Sequence, residues 1–214
     1  MTTPSSILAR RSVGAVALGL VALLLASPSA SSKSPREVDP TTLQPPLNMQ
    51  FAPWSCFETG SGITCQGGYE ATYNEPIGLV CDGQEVWIAG TAREFMTRWH
   101  TKDGLATKTI VHADYPGDVF SLSPDGDGPT FTVRGHFNRH YVYPVPGDRD
   151  SRVLKEVGAI YLANETGNGI VVHDTGSVTF EPGAEFEEIA VAHGVHDVYD
   201  DQAAFDQLIC DRIT

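Results

Sequence analysis

The stretch Phe131-Thr-Val-Arg-Gly-His-Phe-Asn-Arg-His-Tyr-Val-Tyr143 alternates with a period of two. Phe131, Val133, Phe137, Tyr141 and Tyr143 fall on one face, and Thr132, Arg134, His136, Asn138 and His140 on the other. Successive side chains of a strand point to opposite sides, so this pattern predicts a half-buried β-strand. Turn signals flank it, Pro124-Asp-Gly-Asp-Gly128 before and Pro146-Gly-Asp148 after.

The same grammar extends in both directions. Further turn signals are Asp82-Gly83, Asp103-Gly104, Pro116-Gly117, Gly167-Asn-Gly169 and Pro182-Gly183, with Val-, Ile-, Thr-, Phe- and Tyr-rich runs between them. With Asp103-Gly104 as a two-residue turn, residues 84–114 form a hairpin in which Lys102 faces Leu105, His100 faces Thr107, Phe95 faces His112 and Arg93 faces Asp114. The run 170–180 places Ile170, Val172, Val178 and Phe180 on one face, with Asp174 and Gly176 between them. Only the end reads as helix, where Phe205, Leu208, Ile209 and Arg212 recur at i, i+3, i+4 and i+7. Asp200, Asp201 and Asp206 sit near its start, where carboxylates suit the helix dipole. About eight antiparallel strands and one C-terminal helix predict a mainly β meander closed into a barrel, because closure removes exposed strand edges. An open β-sandwich is the alternative.

Ahead of the β region, residues 1–30 read as a secretory signal peptide. Arg10 and Arg11 precede the apolar run Val13–Ala26, and small residues follow it. The run is too short to span a bilayer comfortably, so no stable membrane anchor is expected after cleavage between 30 and 33. Residues 31–53, rich in Ser, Thr, Pro and Gln, read as a flexible linker or loosely draped arm, and 54–214 as a single β-barrel domain. The predicted location is therefore secreted or extracellular. The chain has 27 acidic against 14 basic residues, a net charge of −13, which argues against nucleic acid as a partner.

All four cysteines, Cys56, Cys65, Cys81 and Cys210, lie beyond the signal. An even count in an exported chain predicts two disulfides, for which three pairings are possible. Proximity favours Cys56 with Cys65 across the glycine-rich Thr59-Gly-Ser-Gly62. That leaves Cys81 with Cys210, joining the first core strand to the terminal helix. By loop entropy the two would contribute about 3 and about 5 kcal/mol.

Several short pieces carry a resemblance: Val80-Cys-Asp82, Lys102-Asp-Gly104, Arg134-Gly-His-Phe137, Val171-Val-His-Asp-Thr-Gly176 with Val178-Thr-Phe180, and Leu208-Ile-Cys210. In order and spacing they resemble a family of small exported actinobacterial proteins of unknown function. The span Cys81–Cys210 covers about 130 of the 214 residues. The resemblance implies a secreted barrel of lipocalin-like or allene-oxide-cyclase-like form. It brings no functional residue with it, and Cys56 and Cys65 depart from the family's shorter members.

Candidate chemistry is sparse. His136 and His140 share a strand face, with His112 and His173 as possible neighbours. Two residues four apart on a strand stand roughly 13 Å apart and cannot share a metal, so a metal site would need neighbouring strands. His193 and His196-Asp197 fall in an expected loop before the helix, where a His-Asp pair could orient a base. No Gly-x-Ser-x-Gly elbow supplies a nucleophile for it. Asp125-Gly-Asp-Gly128 begins like a calcium loop, but the twelfth position is His136 and not Glu. Asn164-Glu-Thr166 matches a glycosylation triplet only as a pattern. Arg93 opposite Asp114 reads as a cross-strand ion pair or, inside a barrel, a polar anchor.

Asp174 interrupts an apolar face. A buried carboxylate needs partners or a raised pKa and would serve as a ligand anchor; alternatively Gly176 bends the strand and Asp174 caps the bend. No cofactor or metal is implied. The leading expectation is a secreted barrel binding a small apolar or amphipathic molecule through Asp174 and Arg93. A cofactor-free cyclase or isomerase and an extracellular interaction module are the alternatives.

Overall fold

In the computed structural model, which describes residues 35–165, 167–184 and 188–214, eight strands form one sheet in sequence order. They are β1 (Ser55–Glu58), β2 (Ile63–Cys81), β3 (Gln84–His100), β4 (Ala106–Ser121), β5 (Phe131–Val142), β6 (Val153–Glu165), β7 (Gly169–Phe180) and β8 (Ile189–His196). Each pairs antiparallel with the next, which is the predicted meander. Pairing runs from β1 to β8, and no ladder among the described residues joins the last strand back to the first. The expected signal at 1–30 lies outside the described residues. No helix among those described is long and apolar enough to cross a membrane.

Local chemistry explains the turns. Asp82 and Gly83, both at positive φ, make the two-residue turn between β2 and β3. The Asp103-Gly104 turn is one residue longer than expected. The Thr101 N–H donates to the Leu105 carbonyl, and Gly104 closes the loop at φ +81°. His100 therefore faces Ala106 and not Thr107; a bulge at Thr107 then restores the predicted pairs Phe95 with His112 and Arg93 with Asp114. Pro116-Gly117 is not a turn but a bulge within β4, where the register with β5 shifts between Tyr115 and Asp118. His193 and His196, expected in a loop, lie on the edge strand β8.

A line of glycines bends the far side of the sheet. Gly158, Gly176 and Gly194 face one another across β6, β7 and β8 at φ +138°, +137° and +125°. A Cβ on Gly176 would stand 2.1 Å from the His193 carbonyl oxygen, so only glycine permits this approach.

Two apolar plugs occupy opposite ends of the strands. At one, Phe205, Ile209 and Ile213 pack with Val86, Phe120, Phe131, Val133 and Val172. They lie on α2 (Gln202–Ile213), which follows the short α1 (Asp197–Asp200); the predicted single helix is broken at Asp201, whose side chain accepts from the Ala204 N–H. The Cys81–Cys210 disulfide ties α2 to β2.

At the other end the described part of the expected flexible linker, residues 35–53, is packed against the sheet. Val38 and Glu58 donate across to Cys56 and Arg36 along the β1 edge, while Gln44 exchanges two backbone bonds with the β3–β4 hairpin. Leu43 is fully buried, in a cluster with Ile63 and the Cys56–Cys65 disulfide, and Phe51 packs on Met96 and Val111. Low periodicity concealed this because the arm buries single anchors through two 3-10 turns rather than a regular face. Both disulfides pair as expected and fit an extracellular, oxidising environment.

Candidate functional site

Between the plugs the inner face turns polar. In β3, Ala92, Glu94, Met96, Arg98 and His100 share one parity and all are buried. In β5, Arg139 shares the parity of Phe137 and Tyr141, and in β6 Glu156 shares that of Leu154. Glu156 is 1% exposed and Glu94 7%. Arg139 lies between them: its Nε donates to Glu156 Oε1 at 2.9 Å and its Nη1 to Glu94 Oε1 at 3.0 Å. Tyr115 donates to the same Glu94 oxygen at 2.5 Å, and Tyr199 of α1 donates to Glu156 Oε2. Burial first, and then the adjacent carboxylates, push both phenols well above their ordinary range, so each is a fixed proton donor. Two buried carboxylates with one cation and two phenols form a satisfied network at the waist of the fold.

Two pockets, each of about 570 Å³, meet at this waist and share Gln50, Tyr69, Tyr115 and Arg139. The first lies under the N-terminal arm, whose Pro45, Pro46 and Phe51 form part of its wall. Four arginines line it: Arg98, Arg139, Arg149 and Arg152. Glu94 is the one carboxylate among its described lining residues. The second pocket is more apolar, lined by Ile77, Ile88, Ala92, Phe120, Val133 and Ile160 among others. It also holds Asp118, which accepts from the Tyr73 hydroxyl; burial raises the Asp118 carboxyl above its ordinary value.

The residues singled out from sequence lie elsewhere. Asp174 faces inward, as its alternation predicted, and is fully buried, but it lines neither pocket. Its carboxylate accepts from His196 Nδ1 at 2.8 Å and from the N–H groups of Val198 and Tyr199 at 3.2 Å each, so it caps the start of α1. Arg93 does pair with Asp114, at 3.7 Å, and more closely with Glu70 at 3.2 Å, but it is half-exposed and also outside both pockets. The expected anchor pair is thus not assembled at a cavity, because the β3 parity that turns Glu94 and Arg98 inward turns Arg93 outward.

His136 lies beside Asp114 at 3.4 Å, His112 bonds Asn138, and the His173 ring bonds Thr175. Among the described residues no three His, Cys, Asp or Glu side chains are grouped to hold a metal. His196 pairs with Asp174, not with its neighbour Asp197, which accepts from the His173 N–H. Asp125 lies in an exposed turn braced by Ser123, and Thr166 of the glycosylation triplet is outside the described residues. Arg98, Arg139, Glu94 and Glu156 were missed. Their signal was a charged residue at an inward position of an otherwise apolar alternation.

The architecture is thus that of a mainly β domain with two adjoining pockets on one sheet face. Comparison with protein families, with curated proteins and with solved structures finds no match.

Proposed function

We propose that the chain is an exported protein, freed of its first thirty residues, whose sheet binds a small amphipathic molecule. The observation that carries this reading is the pair of joined pockets, one apolar and one rich in arginine, each within the size range of small-molecule sites. An elongated ligand would place its apolar body against Ile88, Val133 and Ile160 and its polar end beyond Arg139. The resemblance to small exported barrel proteins agrees with export and says nothing of the ligand.

The test is native mass spectrometry of the disulfide-bonded protein from its own culture medium, with fluorescence titration of 11-(dansylamino)undecanoic acid. A retained small molecule, or saturable probe binding lost in Ala92→Trp, is expected. No bound species together with no probe binding would sink the proposal.

A second reading rests on Asp118. A carboxyl with a raised pKa in an apolar pocket is the group a cofactor-free cyclase or isomerase would use as acid or base. Turnover of a screened substrate that Asp118→Asn abolishes, with probe binding kept, would favour that reading over simple binding.

A further inference from the structure

Arg98 is 7% exposed, yet its guanidinium is held only by neutral groups. Nε donates to Thr109 Oγ1 at 3.1 Å, and Nη1 to the carbonyl oxygens of Pro45 and Pro46 at 3.3 Å each. It forms no ion pair among the described residues, whereas Arg139 on β5 holds two carboxylates. A buried cation without a counter-charge is costly, and its retention calls for a partner.

That partner has a place to sit. Arg98 lines the pocket under the arm, and Glu94, the one carboxylate among the described residues of that lining, is already engaged by Arg139 and Tyr115. No described residue of that lining supplies Arg98 with a counter-charge. The fork geometry of a guanidinium fits a carboxylate or phosphate, and a desolvated site strengthens the pairing.

We propose that this pocket receives the anionic head of the ligand, a carboxylate or a phosphate monoester, with Arg98 as its counter-charge under the arm's two prolines. The inference rests on the small-molecule reading above and specifies its ligand class.

Four competitors of the dansyl probe test it: dodecanoate, dodecyl phosphate, dodecanamide and dodecanol. The better of the two anions should bind at least about tenfold more tightly than either neutral analogue, as a charge-assisted hydrogen bond requires. Which anion wins distinguishes the two head groups. Arg98→Gln should erase the preference, bringing the anions to the affinity of the neutral analogues in the same variant. Should that variant not fold, the Nε–H resonance of Arg98 in the wild-type protein should shift with the anion and not with dodecanol. Equal binding of anions and neutrals would overturn the inference and leave the small-molecule reading intact. A preference that survives Arg98→Gln, or an unmoved Nε–H resonance, would overturn the assignment to Arg98. No displacement of the bound probe by any of the four would overturn the inference, and the small-molecule reading falls only if the probe fails to bind and no species is retained.

Discussion

His196 Nδ1 lies 2.8 Å from Asp174 Oδ1, with the side chains 3% and 0% exposed, and the second carboxylate oxygen caps the first turn after β8. One buried acid thus fixes the junction at which the sheet ends and the C-terminal helices begin. Tyr199, which donates to Glu156 at the waist, sits on that junction, so the buried network and the helical plug are joined through Asp174.

Asp174→Asn is expected to destabilise the fold by about 3 kcal/mol, since it breaks a buried pair while leaving the partner in place. Burial by itself lowers the His196 pKa, but the Asp174 hydrogen bond, the His193 carbonyl and nearby carboxylates raise it overall. A raised folded-state value gives stability that is complete below about pH 6.5 and is lost as pH rises through that raised value. Urea unfolding should therefore show a larger gap between wild type and variant near pH 5.5 than near pH 8.5. Probe binding should be unchanged, because Asp174 lines neither pocket.

His100 has the opposite sign. Burial, and then the charge of Arg98, lower its pKa to about 4. The unfolded chain takes up a proton near pH 6.5 that the folded chain refuses, so stability falls between about pH 6.5 and about pH 4, by up to about 3 kcal/mol. In His100→Leu that acid-side loss should shrink. A wild-type-minus-variant difference that stays flat across this window would refute a buried neutral His100.

Arg139→Met should cost about 3–5 kcal/mol at neutral pH, because Glu94 and Glu156 are left buried without their cation. The triple variant Glu94→Gln, Arg139→Met, Glu156→Gln should recover much of the stability. Thermal unfolding of the single and triple variants at neutral pH checks both statements.

Gly176→Ala should destabilise by about 3 kcal/mol or more, since the new Cβ meets the His193 carbonyl oxygen at 2.1 Å and the backbone sits at φ +137°. Gly60→Ala, with no atom within 4 Å of the new Cβ, should stay within about 0.5 kcal/mol of wild type. Hydrogen exchange in the first variant should be fastest at the β7–β8 ladder.

The sequence by itself determined the meander as far as β7, the terminal helical region, the two disulfides and the pairing of Arg93 with Asp114. These follow from local rules: period-two alternation, turn chemistry, cysteine parity and outward counting from a hairpin. It also singled out Asp174, as an inward acid or as the cap of a bend at Gly176. Tertiary structure alone decided what that acid touches, because His196 and the α1 amides reach it from more than twenty residues away. The same holds for the arm, whose Leu43 and Phe51 find burial only against strands that come later in the chain. The pockets were legible least. Glu94, Arg98, Arg139 and Glu156 each look like an ordinary surface charge along the chain, and only the curvature that brings β3, β5 and β6 to one inner face turns them into a desolvated site.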